Sequence, residues 1–202
     1  MRYPNAVMVP GDLPNEKTDI GPRAAPGAYQ VRLTVGDQHE TAAFTIVPDP
    51  RLDVSQADLD AQFDLGVQVR DKVSATHRAI NHLRDVRRLK VWAARSDAAA
   101  VNDQAAAIVA KLDAIEEQLI QTGSMTGGDR LRLPARLNAM LINLVSVIAA
   151  ADAKPTQQTY DAFADLSAAV DEQLAALQQV LDEDVPAVAA ALAAEQTPYI
   201  KI

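Results

Sequence analysis

The chain has no cysteine, which excludes disulfides, thiolate metal sites and cysteine nucleophiles together. Aromatic residues make up only 4% of it although hydrophobic residues make up 49%. Any core must therefore be aliphatic and alanine-rich, a composition that favours close-packed helices over a sheet. Long apolar runs are missing too: the greasiest stretch, residues 140–151, falls short of the roughly 18 to 20 uncharged residues of a membrane span, so no membrane partner is expected. Basic charge is in deficit, with 19 Lys and Arg against 27 Asp and Glu and a net charge of −8. That field repels phosphates and argues against a general nucleic-acid partner. The opening MRYPNAVMVPGDLPNEKTD carries prolines and acids where a signal peptide needs a continuous apolar run.

What is present divides near residue 50. Of the 202 residues, the first 27 hold five of the eleven prolines, Pro4, Pro10, Pro14, Pro22 and Pro26, and read as loop or isolated extended segments. Tyr29, Val31, Leu33 and Val35 then alternate with polar residues, and Ala42, Phe44 and Ile46 repeat the alternation after Gly36-Asp37. Period two on either side of a two-residue connection that begins with glycine predicts a β-hairpin with a type II′ turn. Pro48 and Pro50 end the pairing, since proline brings no ladder donor.

From Ser55 the period becomes helical. Leu59, Phe63, Gly66, Val69, Val73, Thr76, Ile80, Leu83 and Val86 form one stripe, with Ser55 and Asp58 at its start as a cap. A second stripe runs Val101, Ala105, Ile108, Leu112, Ile115, Leu119. A third helix is expected from Pro134 through Leu137, Leu141, Leu144 and Ile148. A fourth begins near Thr156 and includes Tyr160, Phe163, Val170, Leu177 and Leu181, with Pro186 expected to kink or break it. The expected fold is mainly α: an antiparallel up-down four-helix bundle over residues 51–202, preceded over residues 1–50 by the proline-rich segment and hairpin. The longer first and fourth helices overhang the middle pair, leaving an end of the bundle for the hairpin to cover. The basic residues of 70–95 and the acidic ones of 161–195 are expected to attract across it.

Residues with chemistry are scattered. His77 and His82 are five apart and lack the acid of an HExxH pair, so they do not share a helical face for zinc; His77 sits beside the apolar stripe and is expected to bond across helices. Gly123, Gly127 and Gly128 have phosphate-loop spacing, but Asp129-Arg130 follow where Lys and then Ser or Thr are required. Asp182, Glu183 and Asp184 point in different directions on a helix and read as a solvated acidic face. Asp58, Asp60, Asp64 and Glu116-Glu117 lack the Glu-x-x-His of a di-iron site. No catalytic residue, metal ligand or cofactor is expected. Two surfaces are candidates for contact, the first set against the plainer reading of an exposed helix end whose cations suit the negative C-terminal dipole. One is the basic run Arg84, Arg87, Arg88 and Lys90 with Trp92, suited to an acidic partner. The other is the hairpin edge with Tyr29, Val31, Leu33, Phe44 and Ile46, suited to pairing with a second copy.

"GPRAAPGAYQVRLTVGDQHETAAFTIVPDPR" followed by "SQADLDAQFDLGVQVRDKVSATHRAINHLRDVR", and later "AIEEQLIQT", "LRLPARLNAMLINLVSVI" and "DAKPTQQTYDAFADLSAAVDEQLAALQQVL", resemble the C-terminal region of bacterial BNR-repeat, sortilin-like β-propeller proteins, often labelled glycosyl hydrolases. The resemblance implies an N-terminal propeller, an immunoglobulin-like segment and a helical tail in an exported protein, with hydrolytic chemistry in the propeller. Nothing here matches its Asp-box pattern S-x-D-x-G-x-x-W. The hairpin then reads as a remnant of the immunoglobulin-like sandwich. The function expected is a non-catalytic accessory module with a structural or assembly role, its partners a propeller in a longer parent or a second copy bound through the hairpin edge or a bundle face. The alternatives are a carbohydrate-binding or hydrolase-associated fragment and an adaptor for an acidic partner.

Overall fold

A computed structural model describes residues 1–11, 21–123, 126 and 128–194. Within the glycine-rich loop Ser124, Met125 and Gly127 lie outside the described residues, as does Pro14. The protein is mainly helical with one small antiparallel sheet. Strands β1 (Gly27–Val35) and β2 (Gln38–Ile46) pair in the register Tyr29↔Phe44, Val31↔Ala42 and Leu33↔Glu40. Gly36 opens the connection at φ +57°, the positive φ that type I′ and type II′ turns alike need at this position and that a side chain would strain.

Among the described residues six α-helices follow: α1 (Gln56–Val86), α2 (Leu89–Ala93), α3 (Ala99–Leu119), α4 (Leu137–Ile148), α5 (Gln157–Gln179) and α6 (Val185–Ala194). Ser55 caps α1, its Oγ accepting the Asp58 N–H at 3.2 Å and donating to the Asp58 carboxylate at 2.7 Å. Thr156 caps α5 through the Thr159 N–H in the same way. The short α2 falls inside the basic run, where no apolar period predicts it. Helix α4 begins three residues later than Pro134, because the Pro134 carbonyl accepts from Gln121 Nε2 at 3.1 Å and Arg136 stays extended. At Pro186 the helix widens. Proline has no N–H for the carbonyl four residues back and its ring crowds that carbonyl; a π turn at Val180–Asp184 makes the room, and α6 continues beyond it.

The helices enclose two apolar clusters stacked end to end along α1, whose 31 residues span about 46 Å at 1.5 Å per residue. Leu65, Val69 and Val73 join Leu141, Val145 and Ile148 of α4 and Val170 of α5 in one cluster. Ile80 and Leu83 join Ile108, Leu112 and Leu119 of α3 with Leu177, Val180 and Val188 in the other. Between Val73 and Ile80 the interior is polar: Thr76 and His77 of α1 and Asn138 of α4 are all at most 1% exposed. Thr76 Oγ1 returns its hydrogen to the Lys72 carbonyl at 2.9 Å.

The polar layer is completed by the N-terminal segment. Residues 4–10 run along α1 and present their backbone to a row of polar side chains. Arg70 donates to the Pro4 carbonyl (3.3 Å), Ser74 Oγ accepts from the Val7 N–H (3.2 Å), and Asn81 Nδ2 donates to the Met8 carbonyl (3.0 Å). Arg84 donates to the Pro10 carbonyl (3.3 Å). At the centre His77 Nδ1 lies 2.6 Å from the Val7 carbonyl; a carbonyl only accepts, so Nδ1 carries the hydrogen. Asn138 Nδ2 lies 3.5 Å from Nε2. Ala6 is buried in one apolar cluster and Val9 in the other, so the segment laces the two together across the expected boundary at residue 50. Its start is pinned by a Tyr3 N–H to Pro22 carbonyl bond of 2.9 Å. The approach is so close that a Cβ on Gly21 would sit 1.8 Å from the Tyr3 carbonyl oxygen.

The hairpin does not cover an end of the helical part. Only its base is partly enclosed: Tyr29 and Phe44 stack at 5.8 Å, the Tyr29 hydroxyl donates to the Ala25 carbonyl at 2.7 Å, and the rest of both strands is exposed.

Replacing His77 by leucine leaves the Val7 carbonyl and the Asn138 amide without their central partner, and is expected to cost about 2 to 3 kcal/mol in urea unfolding. His82→Leu, on the exposed neighbouring turn, is expected to change stability by less than about 0.5 kcal/mol.

Candidate functional site

The five residues of the basic run do not form one surface. Arg84 in the last turn of α1 and Arg87 at its C-cap turn towards α3 and converge on Glu116, which is only 4% exposed. Arg84 Nε donates to Glu116 Oε1 at 2.6 Å, Arg87 Nη2 donates to Glu116 Oε2, and the same Arg87 nitrogen lies 2.7 Å from Asp113. Burial by itself would raise the Glu116 carboxyl, but hydrogen bonds from Arg87 and Arg84 outweigh it and hold the group below its ordinary value of 4.5. Burial likewise works to lower Arg87, and its bonds to Glu116 and Asp113 leave it raised. These two arginines thus form an internal clamp that joins α1, α3 and, through Pro10, the N-terminal segment. Arg88 and Lys90 stay exposed, Arg88 with a loose 3.8 Å pairing to Asp85. Trp92 is half-buried with the Arg95 guanidinium 4.5 Å above its ring.

Several of the other acids are similarly occupied within the chain. Asp182 and Glu183 accept from Gln178 and Gln179, while Asp184 turns to Lys111 on α3 at 2.7 Å, so the three acids diverge. Asp60 accepts from Gln56, and Glu117 pairs with Arg136. The expected attraction between the first and last long helices is realised by Lys72 and Asp171 at 2.8 Å; the stronger cross-helix clamp goes to α3 instead. Among the described residues, no group of three or more His, Asp or Glu is placed to hold a metal ion, and no helix is long and apolar enough to cross a membrane.

The hairpin residues separate in the same manner. Tyr29, Phe44 and Ile46 sit at the enclosed base. Val31 and Leu33, with Val35 beyond them, are 51%, 66% and 69% exposed on one face, opposite Ala42, Glu40 and Gln38. Both outer edges of this two-stranded sheet carry unpaired backbone groups among the described residues, apart from the Arg2–Arg23 bridge outside the strands.

Comparison with known proteins returns nothing: no family model, curated protein or solved structure matches the chain.

The role of Glu116 has a signal in the sequence. The residue lies four residues after Leu112 and one after Ile115, on the border of the apolar stripe, where a carboxylate must find cations or lose its charge.

Because the Glu116 pKa is lower in the folded chain, its contribution to stability is complete above the unfolded value and lost as pH falls through the folded one. Denaturation at stepped pH is expected to show this loss below about pH 4.5 in the wild type. Glu116→Gln is expected to cost about 2 to 4 kcal/mol at neutral pH, because it removes the buried charge that the two arginines share and leaves Arg84 the Pro10 carbonyl and Arg87 only Asp113, and to flatten that acid limb.

Proposed function

We propose that the chain is a non-catalytic interaction module with a structural or assembly role, acting through the projecting hairpin. The observation that carries this is the uncovered apolar face of β1. Three consecutive inward-type positions, Val31, Leu33 and Val35, are each more than half exposed, in a chain that buries its other aliphatic stripes. A bare two-stranded ribbon with an apolar face is a template for further pairing. The occupant that suits it best is a second copy, because a two-fold axis lets the same face meet itself. That Arg84 and Arg87 are taken up by Glu116 and Asp113, and Asp184 by Lys111, supports a non-catalytic reading.

In this proposal the helical part is an up-down four-helix bundle of α1, α3, α4 and α5. It is supported by the packing of α1 on α4, α5 and α3, and of α5 on α4 and α3. The hairpin is what remains of an immunoglobulin-like sandwich, and the whole is the helical tail of a sortilin-like BNR-propeller protein, as the sequence resemblance implies. A second reading is favoured by exposed Arg88 and Lys90: an acidic partner bound at the end of α1, with steeply salt-sensitive affinity.

Sedimentation velocity over a concentration series is expected to show a monomer–dimer equilibrium. Leu33→Glu, which places a carboxylate beside Glu40 on that face, is expected to abolish the dimer with the circular dichroism unchanged. A wild type that stays monomeric throughout, or a dimer indifferent to Leu33→Glu, would refute the self-pairing.

A further inference from the structure

Where the base of the hairpin meets the helices there is a cavity of about 180 Å³. Its wall is apolar on three sides, with Leu59 and Phe63 from α1, Val145 and Ile148 from α4, and Ile46 and Leu52 from the hairpin end and the loop after it. Gln62 secures one side, its Nε2 donating to the Ile148 and Ala151 carbonyls at 2.5 Å each, at the end of α4. An engineered apolar cavity of about 150 Å³ takes up benzene. This one therefore has room for an aromatic ring or a short alkyl chain.

Its rim is charged, and unevenly so. Arg2 and Arg23 both line the cavity and face each other as partners in an isolated antiparallel bridge. Residues directly opposed in such a bridge share a face, and like charges there repel. The acids of the rim do not balance them. Asp49 is forked by Arg51 through bonds of 2.6 to 3.2 Å, and among the described residues Asp152 reaches only Arg23, at 3.5 Å. Among the described residues Arg2 has no carboxylate partner; it donates to the Gly21 carbonyl at 2.8 Å. One cation at the mouth of an apolar cavity is thus left for a ligand to neutralise.

We infer that this cavity binds a small amphipathic carboxylate, its apolar body against Leu59, Phe63, Val145 and Ile148 and its anionic head on the guanidiniums of Arg2 and Arg23. Arginine suits this role because its planar fork matches a carboxylate with two parallel hydrogen bonds. The head group stays near water, so affinity comes from both ends together: the ring removes apolar surface from water, and the arginines select the sign of the charge. The site joins the N-terminal segment, the hairpin base and the helices. Occupation would accordingly stiffen the root from which the hairpin projects.

The test is an NMR titration of the full-length chain with benzoate, benzyl alcohol and benzylamine. Benzoate is expected to shift the amides of residues 2, 23, 62–66 and 145–149 and to bind about tenfold more tightly than benzyl alcohol, the factor that about 1.4 kcal/mol of charge-assisted bonding gives. Benzylamine is expected not to bind. Arg2→Gln keeps a donor for the Gly21 carbonyl and is expected to weaken benzoate about tenfold while leaving benzyl alcohol unchanged. Ala149→Trp, which fills the cavity from its half-buried edge, is expected to remove both. The inference is overturned if millimolar benzoate leaves these amides unmoved, if benzylamine binds as well as benzoate, or if the shifts collect at Arg88 and Lys90 instead. Because Arg2→Gln leaves the cavity wall intact, a failure of Ala149→Trp to fold does not remove the test.

Discussion

A hydrogen bond from a buried imidazole to the backbone of an extended segment holds the two halves of this protein in one arrangement. His77 lies where one apolar cluster of α1 ends and the other begins, and its Nδ1–H meets the Val7 carbonyl at 2.6 Å. An unmade bond at such depth costs more than the formed bond contributes. The N-terminal segment is therefore required by the helices as much as it requires them. Ala6 and Val9 add apolar surface on either side of the polar layer, and Ser74, Asn81 and Arg84 repeat the pattern of backbone satisfaction along the same face.

That lacing has consequences at both ends of α1. Towards the C-terminal end, Arg84 is shared between the Pro10 carbonyl and Glu116, which couples the segment to the α1–α3 clamp and withdraws two of the four clustered cations from the surface. Towards the N-terminal end, the chain is tied through Tyr3 to Pro22, and the Tyr3 ring packs 4.8 Å from Phe63. The root of the hairpin is consequently set against the helices while its outer turn is left in solvent. Both the proposed pairing face and the proposed carboxylate site follow from this placement of the root.

Much of the architecture was legible as periodicity. The alternation of Tyr29, Val31, Leu33 and Val35 placed the hairpin and its turn, and the 3-4 spacings located the four long helices, because burial of one face imposes its period on the sequence. Local chemistry marked the Ser55 cap. Neither the start of α4 nor the π turn before Pro186 follows from period alone, since each depends on which carbonyl a neighbouring group takes. The lacing of the N-terminal segment was not read, although its signal is present: Arg70, Ser74, His77, Asn81 and Arg84 advance by four, three, four and three, one residue behind the apolar stripe. A row of polar residues beside a buried stripe reads as solvent-facing until the segment that covers it is known. For the same reason Arg84 and Arg87 looked like a contact surface, since a positive run does not reveal that a carboxylate 32 residues away from Arg84 is buried between them.

Native-state hydrogen exchange of the Val7 amide tests the lacing most directly. Val7 donates to Ser74 while its carbonyl accepts from His77, so its amide is expected to exchange only through global unfolding, with the same free energy as the slowest amides of α1. The exposed turn around Gly36 is expected to exchange through local opening. If the Val7 amide exchanged at the rate of an unstructured peptide while α1 stayed protected, the N-terminal segment would not be part of the folded unit and the account would be contradicted.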